Sequence, residues 1–253
     1  MMTAASLPTQ SFPVRRVPLS RPFTWIRLGW DDLLHHRGAS LAYGWLVSSL
    51  GALILAYNNH PYFVAIAVVA FLVVGPMMTA GVCELSRHRE RREPANFQTS
   101  LQTLQDNRAH LLHFAGRLIV FGGLWIGLCG AILYAITGSV APDLSSTLWS
   151  DMLPQLSAMQ ILFYTVGGAL LAGLVFAVSV VAVPLIIDRD VDVGSAMRTS
   201  LHVAWSDFPA MLVWGALILV MVGIGFATYL IGMVVIFPLL GHATWYAYRD
   251  LIK

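Results

Sequence analysis

Five polar residues near the ends of apolar segments have side chains that could do chemistry at a membrane. They are Arg117, Glu84, His110, His113 and His242. An unpaired charge inside the hydrocarbon costs at least about 2.5 kcal/mol, so Arg117 needs a partner, a ligand or a route to the surface. Glu84 is the expected partner of Arg117. The simpler alternative is that the long Arg117 side chain reaches the lipid headgroups.

The three histidines form the second candidate group. His110 and His113 are three residues apart and share a helical face, and His242 is predicted on the same side of the membrane. Three imidazoles could hold zinc, copper or haem iron. No cysteine pair, HExxH or glutamate–histidine motif accompanies them, and histidines near an interface are common anchors. We therefore predict no metal, cofactor or catalytic residue, with haem or metal binding kept as an alternative hypothesis.

Two charged turns, ELSRHRERREP (84–94) and IDRDVDVGS (187–195), could instead dock a protein partner. The candidate docking residues are Arg87, Arg89, Arg91, Arg92, Asp188, Arg189 and Asp190. Basic residues beside a membrane also attract anionic lipid, by about 1 kcal/mol each. Contact with lipid headgroups is therefore the simpler interpretation of the same charges.

Composition indicates the class of protein that carries these residues. Hydrophobic residues make up 57% and charged residues 11%, with a mean hydropathy of +0.72, whereas an ordinary soluble domain is about 25% charged. Apolar runs of about 20 residues match a hydrocarbon layer about 30 Å thick. We predict an all-α, polytopic membrane protein with six transmembrane helices, at about 39–57, 62–83, 112–136, 160–186, 209–225 and 227–247.

Basic residues orient these spans. Fourteen of the 15 Lys and Arg residues lie before span one, between spans two and three, between spans four and five, or after span six. Cytoplasmic loops carry this excess in membrane proteins, so both termini are predicted in the cytoplasm. Residues 1–20 are rich in Pro, Ser and Thr and predict a disordered cytoplasmic tail. Residues 21–253 form one predicted domain.

The chain repeats a polar segment about 100 residues later. FQTSLQTLQDNRAHLL begins at Phe97 and MRTSLHVAWSDFPAML begins at Met197. In both segments the larger apolar residues fall at spacings of four and three, which is typical of an amphipathic helix. RPFTWIRLGWDDLLHHRG is a weaker third copy, and its predicted apolar face consists of Phe23, Ile26, Trp30 and Leu33. The pattern predicts a two- or three-fold parallel repeat, unlike the inverted repeats of many transporters.

Several longer motifs resemble a known family. GPMMTAGVCELSRHRERREP, PLIIDRDVDVGSAMRTSL and the closing LLGHATWYAYRDL are similar to those of an uncharacterised bacterial family of predicted integral membrane proteins, domain of unknown function 2189. The resemblance extends from about Arg21 to Leu251. It implies a multi-pass protein of the bacterial inner membrane. It implies no activity and no functional residues.

Three functions are compatible with the sequence. The first is a non-enzymatic accessory, assembly or organising factor for another inner-membrane complex, because charged turns and amphipathic helices share the cytoplasmic face. The second is a small-solute or ion transporter or channel that uses Arg117, Glu84 and the histidines. The third is the haem- or metal-binding protein described above. The expected partners are the lipid bilayer and a membrane complex or a second copy of the chain, and not nucleic acid.

Overall fold

The computed structural model describes residues 12–56, 61–137 and 157–253, and the fold of these residues is all-helical, as predicted. The helices are α1 (Arg21–His35), α2 (Arg37–Ala56), α3 (Pro61–Arg91), α4 (Phe97–Asp106), α5 (Arg108–Thr137), α6 (Ala158–Ser179), α7 (Ala182–Arg189), α8 (Val193–Ser206), α9 (Phe208–Ala227) and α10 (Met233–Leu251). One isolated antiparallel bridge joins Val14 to Ile252.

The predicted spans lie on α2, α3, α5, the α6–α7 pair, α9 and α10. Two helical segments of the described residues are long and apolar enough to cross a membrane. One is Ala158–Arg189, which comprises α6 and α7, and the other is Phe208–Ala227, which is α9. The remaining four spans stay predictions.

The turn between the last two spans differs from the prediction. The sequence predicted a junction near residues 223–227, whereas α9 continues to Ala227 and α10 begins at Met233. In the turn, the Gly232 N–H donates to the Thr228 hydroxyl at 2.9 Å. Tyr229 and Leu230 adopt left-handed backbone angles, with φ of 52° and 68°. Such angles normally favour glycine, so the sequence signal pointed to the glycines inside α9 instead.

The N-terminal segment is ordered from residue 12 onward, which corrects the prediction of a disordered tail for residues 12–20. The Arg15 N–H donates to the Leu251 carbonyl at 2.9 Å. The Val17 N–H donates to Asp207 Oδ2 at 2.8 Å. These bonds use acceptors at the C terminus and at the start of α9, which the composition of residues 1–20 could not reveal. Residues 1–11 lie outside the described residues.

α10 is the central helix of the described core and contacts α1, α2 and α3. Trp25 of α1 and Trp214 of α9 are fully buried, and their rings meet edge to face with centroids 5.6 Å apart. Aromatic pairs in this geometry stabilise a core beyond the area they bury. The packing therefore fixes α1 against the helices that carry the last two predicted spans.

α1 has two different faces. Trp25, Gly29 and Asp32 are buried against the protein, whereas Phe23 and Trp30 are 58% and 44% exposed. The sequence placed Phe23, Ile26, Trp30 and Leu33 on one apolar face, and the structure divides them. Phe23 and Trp30 point away from the protein, whereas Leu33 is buried and Ile26 packs against the core. The buried face carries a charge, Asp32, which the apolar periodicity did not indicate.

Candidate functional site

The described residues contain a buried polar cluster where α1, α2, α3 and α10 meet. It comprises Asp32, Ser40, Ser86, Arg89, His242 and Tyr246. The α1 carboxylate reaches α3 and α10, and the α2 and α3 hydroxyls reach the α10 imidazole. Because each contact joins different helices, the cluster fixes how four helices meet.

Asp32 is the charged centre of the buried polar cluster and is 0% exposed. Its Oδ1 accepts hydrogen bonds from the Arg89 guanidinium and, at 2.9 Å, from the Tyr246 hydroxyl. Its Oδ2 has no hydrogen-bond partner among the described residues. Burial raises the pKa of the Asp32 carboxyl, and the neighbouring Ser86, Tyr246 and Arg89 offset only part of that rise. Of these three neighbours, Arg89 is the one that carries a positive charge, and it favours the ionised form together with the hydrogen bonds.

His242 is fully buried, and both of its ring nitrogens have partners. Nε2 lies 2.8 Å from the Ser40 hydroxyl and Nδ1 lies 2.7 Å from the Ser86 hydroxyl. Either hydroxyl can donate or accept, so a neutral imidazole is satisfied in both tautomers. His242 could bind a metal only by giving up one of these bonds. The arrangement indicates a structural histidine.

The three histidines are not brought together. His110 lies 3.6 Å from Asp190, and His113 lines a cavity on α5. His242 belongs to the buried polar cluster. In the part of the chain that the structure describes, no three His, Cys, Asp or Glu side chains are placed to hold a metal ion. The haem or metal hypothesis required His110, His113 and His242 to meet at one place, and in the structure they do not.

Glu84 does not pair with Arg117, so that prediction is wrong. The Glu84 carboxylate lies 3.2 Å from Arg87 Nη1 and 3.1 Å from His88 Nδ1, both one turn further along α3. Arg117 lies beside Gly194, at the start of α8. Partners one helical turn away are available without any tertiary contact. The transport hypothesis combined Glu84 and Arg117 in one cavity, and the structure separates them.

The two charged turns contact each other and enclose an arginine cavity of about 430 Å³. Its lining residues are Arg87, Glu90, Arg91, Asp188, Arg189, Trp245 and Arg249. Asp188 lies 3.2 Å from Arg87 and 3.6 Å from Arg91. Four arginines face two carboxylates, so the arginine cavity carries a net positive charge.

Side chains from α10 support this cavity from behind. Tyr248 donates to Asp188 Oδ2 at 2.7 Å, and Trp245 donates to Glu90 Oε2 at 3.0 Å. Arg249 also binds Glu90, with Nη2 at 2.7 Å from Oε1. These bonds hold both carboxylates in place. The side chains of Arg91 and Arg249, at the rim of the arginine cavity, remain about half exposed.

The predicted docking residues have three different positions. Arg87, Arg91, Asp188 and Arg189 line the arginine cavity. Arg89 binds Asp32 in the buried polar cluster instead. Arg92 is exposed with a left-handed φ of 58°, and Asp190 is exposed beside His110. Only the first group forms a shared surface.

Asp32 and Tyr246 are the main residues that sequence reasoning missed. Asp32 lies in WDDL, where the weaker third copy of the repeat aligns it with Asp207. Both aspartates are buried, at 0% and 5% exposure. The signal available in the sequence was an aspartate at matching positions of two copies of the repeat.

The described fold, with its long apolar segments and charges gathered at helix ends, defines a helical membrane protein. Over residues 63–188 the chain matches the model of the family described as predicted integral membrane protein (DUF2189), and it belongs to that family. The resemblance stated from the motifs is thereby confirmed over residues 63–188. No curated protein and no solved structure matches the chain.

Proposed function

We propose that this protein crosses the bacterial inner membrane six times, with both termini in the cytoplasm. The support is the one-sided distribution of basic residues together with apolar side chains exposed along α5 and α9, such as Leu124 at 71% and Leu219 at 74%. Exposed apolar side chains of this kind suit contact with lipid. The apolar faces of α1, α4 and α8 then rest on the cytoplasmic side of the bilayer as a parallel repeat.

Cysteine accessibility tests this topology. In a chain with Cys83→Ala and Cys129→Ala, we expect Tyr229→Cys to react with a membrane-impermeant maleimide in intact spheroplasts. Tyr229 is 85% exposed in the turn before α10, which the topology places outside the cytoplasm. Arg92→Cys should react only after permeabilisation. Labelling of both positions in intact spheroplasts, or protection of both until permeabilisation, would contradict the six-span arrangement.

We further propose that the protein is a non-enzymatic accessory factor that docks an acidic cytoplasmic segment of another membrane protein. The supporting observation is the arginine cavity, in which four arginines face Glu90 and Asp188. Arginine forms bidentate bonds with carboxylates, so a glutamate- or aspartate-rich segment fits this charge and geometry. Neither an enzymatic step nor a cofactor is part of this proposal.

The arginine cavity also provides a sharp test of docking. Arg91→Glu reverses a charge on its rim, where the side chain is 49% exposed and its ion pair with Asp188 is long, at 3.6 Å. We expect binding of a fluorescent oligoglutamate peptide to the purified chain to weaken roughly tenfold. Arg92→Glu makes the same change one residue away, outside the cavity lining, and should leave binding nearly unchanged.

Purification from native membranes extends this test to the cellular partner. Wild type and Arg92→Glu should retain the same membrane proteins in mild detergent, and Arg91→Glu should lose them. A particle without partners in all three preparations would contradict the accessory function. Equal losses for Arg91→Glu and Arg92→Glu would contradict docking at the arginine cavity.

A further inference from the structure

A second cavity, which we call the interfacial cavity, lies between α5 and the start of α8. It has a volume of about 840 Å³. Its polar part is formed by His113, Arg117 and Arg198, and its apolar part includes Val120, Phe121 and Leu124. None of these residues belongs to the arginine cavity or to the buried polar cluster. The interfacial cavity is therefore a separate site.

Two guanidinium groups converge at Gly194. A methyl group placed on Gly194 would lie 3.2 Å from Arg117 Nη1 and 3.6 Å from Arg198 Nη2. The same point is 3.1 Å from Asp192 Oδ2, whose pKa is lowered by the hydrogen bonds from Ser195. Two fixed positive charges and one negative charge therefore meet at this end of the cavity, beside His113. Their sum favours an anion.

Arg117 and Arg198 differ from the arginines that form ion pairs with carboxylates of the described residues. Within residues 12–56, 61–137 and 157–253, the arginine ion pairs shorter than 4.0 Å involve Arg21, Arg87, Arg89, Arg91 and Arg249. Arg117 and Arg198 are not among them. Their N–H donors are thus available to a ligand, and an anionic ligand would lower the cost of placing Arg117 inside predicted span three.

The apolar part of the interfacial cavity continues from the arginines along α5 toward the membrane interior. Arg117, Val120 or Phe121, and Leu124 follow one another at helical spacings of three and four, so they share a face. The distance along the helix from Arg117 to Leu124 is about 10 Å. Val120 and Leu124 are 61% and 71% exposed. A ligand that fits has an anionic head beside an apolar chain.

We propose that the interfacial cavity binds one anionic phospholipid, with its phosphate between Arg117 and Arg198 and an acyl chain against Val120 and Leu124. Arginine matches phosphate oxygens with paired N–H donors. A soluble phosphate would satisfy the arginines but would leave the apolar wall uncovered. This site rests on the proposed membrane topology and does not rest on the proposed docking function.

Native mass spectrometry of the purified full chain tests the lipid site. The protein is titrated with phosphatidylglycerol or with phosphatidylcholine of the same acyl chains. Wild type should bind one phosphatidylglycerol in preference to phosphatidylcholine. Arg117→Gln should weaken that binding about fivefold, the factor that corresponds to one basic contact with an anionic lipid. Arg108→Gln removes an equal charge from the same helix outside the cavity, and it should bind like wild type.

A second variant tests the geometry without changing any charge. In Gly194→Ala the new methyl group would lie 3.2 Å from the present position of Arg117 Nη1. This is closer than an ordinary contact, so the guanidinium must shift. Alanine is a better helix former than glycine, and α8 should remain folded. We expect Gly194→Ala to lose phosphatidylglycerol preference while retaining wild-type thermal stability. If Arg117→Gln does not fold, Gly194→Ala and the separate variant Arg198→Gln test the proposal in its place.

Three results would overturn the proposal. Equal binding of the two lipids would show that the phosphate charge is not recognised. Equal weakening by Arg117→Gln and Arg108→Gln would show general electrostatic attraction and no site. Displacement of the lipid by equimolar glycerol 3-phosphate would assign the cavity to a soluble phosphate ester, because that molecule has the head without the acyl chains.

Discussion

Arg89→Met is expected to lower the free energy of unfolding by about 3–5 kcal/mol, one of the two largest effects we predict. Asp32 is 0% exposed, and Arg89 is the cation that binds it. Without the guanidinium, the Asp32 carboxylate is left in a region of low dielectric beside the neutral hydroxyls of Tyr246 and Ser86. The measurement is an unfolding titration of the purified protein in mixed micelles. Arg92→Met removes an exposed arginine nearby and should change stability little.

The double variant Arg89→Met with Asp32→Asn separates the charge from the side chain's shape. A neutral amide can still accept from Tyr246 and needs no counter-charge, so we expect it to recover a large part of the lost stability. If the double variant is as unstable as Arg89→Met, then the lost stability comes from packing around Arg89 and not from the buried charge.

pH provides an independent check on Arg89→Met. The pKa of Asp32 is already raised by burial, and removing Arg89 raises it further. A carboxyl whose folded-state pKa exceeds its unfolded value stabilises the protein at low pH, and that stability is lost as pH rises through the folded pKa. Arg89→Met should therefore regain stability relative to wild type on acidification. The variant that also carries Asp32→Asn should show no such recovery.

Gly44→Ala is expected to destabilise the protein by about 3 kcal/mol or more, since it inserts a methyl group into a backbone contact. A methyl group on Gly44 of α2 would overlap the Val234 carbonyl oxygen and would lie 2.8 Å from the Val234 Cα on α10. Backbone atoms cannot turn away as a side chain can, so the two helices must separate. Such a separation would disturb the Ser40–His242 bond one turn earlier on α2.

Gly38→Ala is the matched control, in the same helix. A methyl group on Gly38 has no atom within 4 Å, so the better helix propensity of alanine should leave stability unchanged or raise it by up to about 1 kcal/mol. Thermal unfolding in detergent distinguishes the two variants directly. Equal stability of Gly44→Ala and Gly38→Ala would contradict the close approach of α2 to α10.

The positions of the helices could be predicted because they depend on local properties of the chain. Long apolar runs and their charged ends give α5, the α6–α7 pair and α9 within a few residues. The turn at residues 228–232 could not be placed in this way, since Tyr229 and Leu230 adopt backbone angles that their residue types disfavour. Ser48 of α2 donates a hydrogen bond to the Leu230 carbonyl of that turn at 3.1 Å, and a local sequence pattern does not contain such a contact.

The sequence by itself determined the class of protein, the family and the chemical types available at the helix ends. Only the tertiary structure decided which of those residues meet. Asp32 and Arg89 are 57 residues apart, and Tyr246 is 214 residues from Asp32. Hydropathy depends on composition over a short window, whereas a side-chain pair depends on how each helix is rotated about its axis. Close packing sets that rotation, as at Gly44, where α2 meets the backbone of α10. Glu84 and Arg117 carry opposite charges and yet lie apart, because Glu84 faces Arg87 and His88 whereas Arg117 lies beside Gly194.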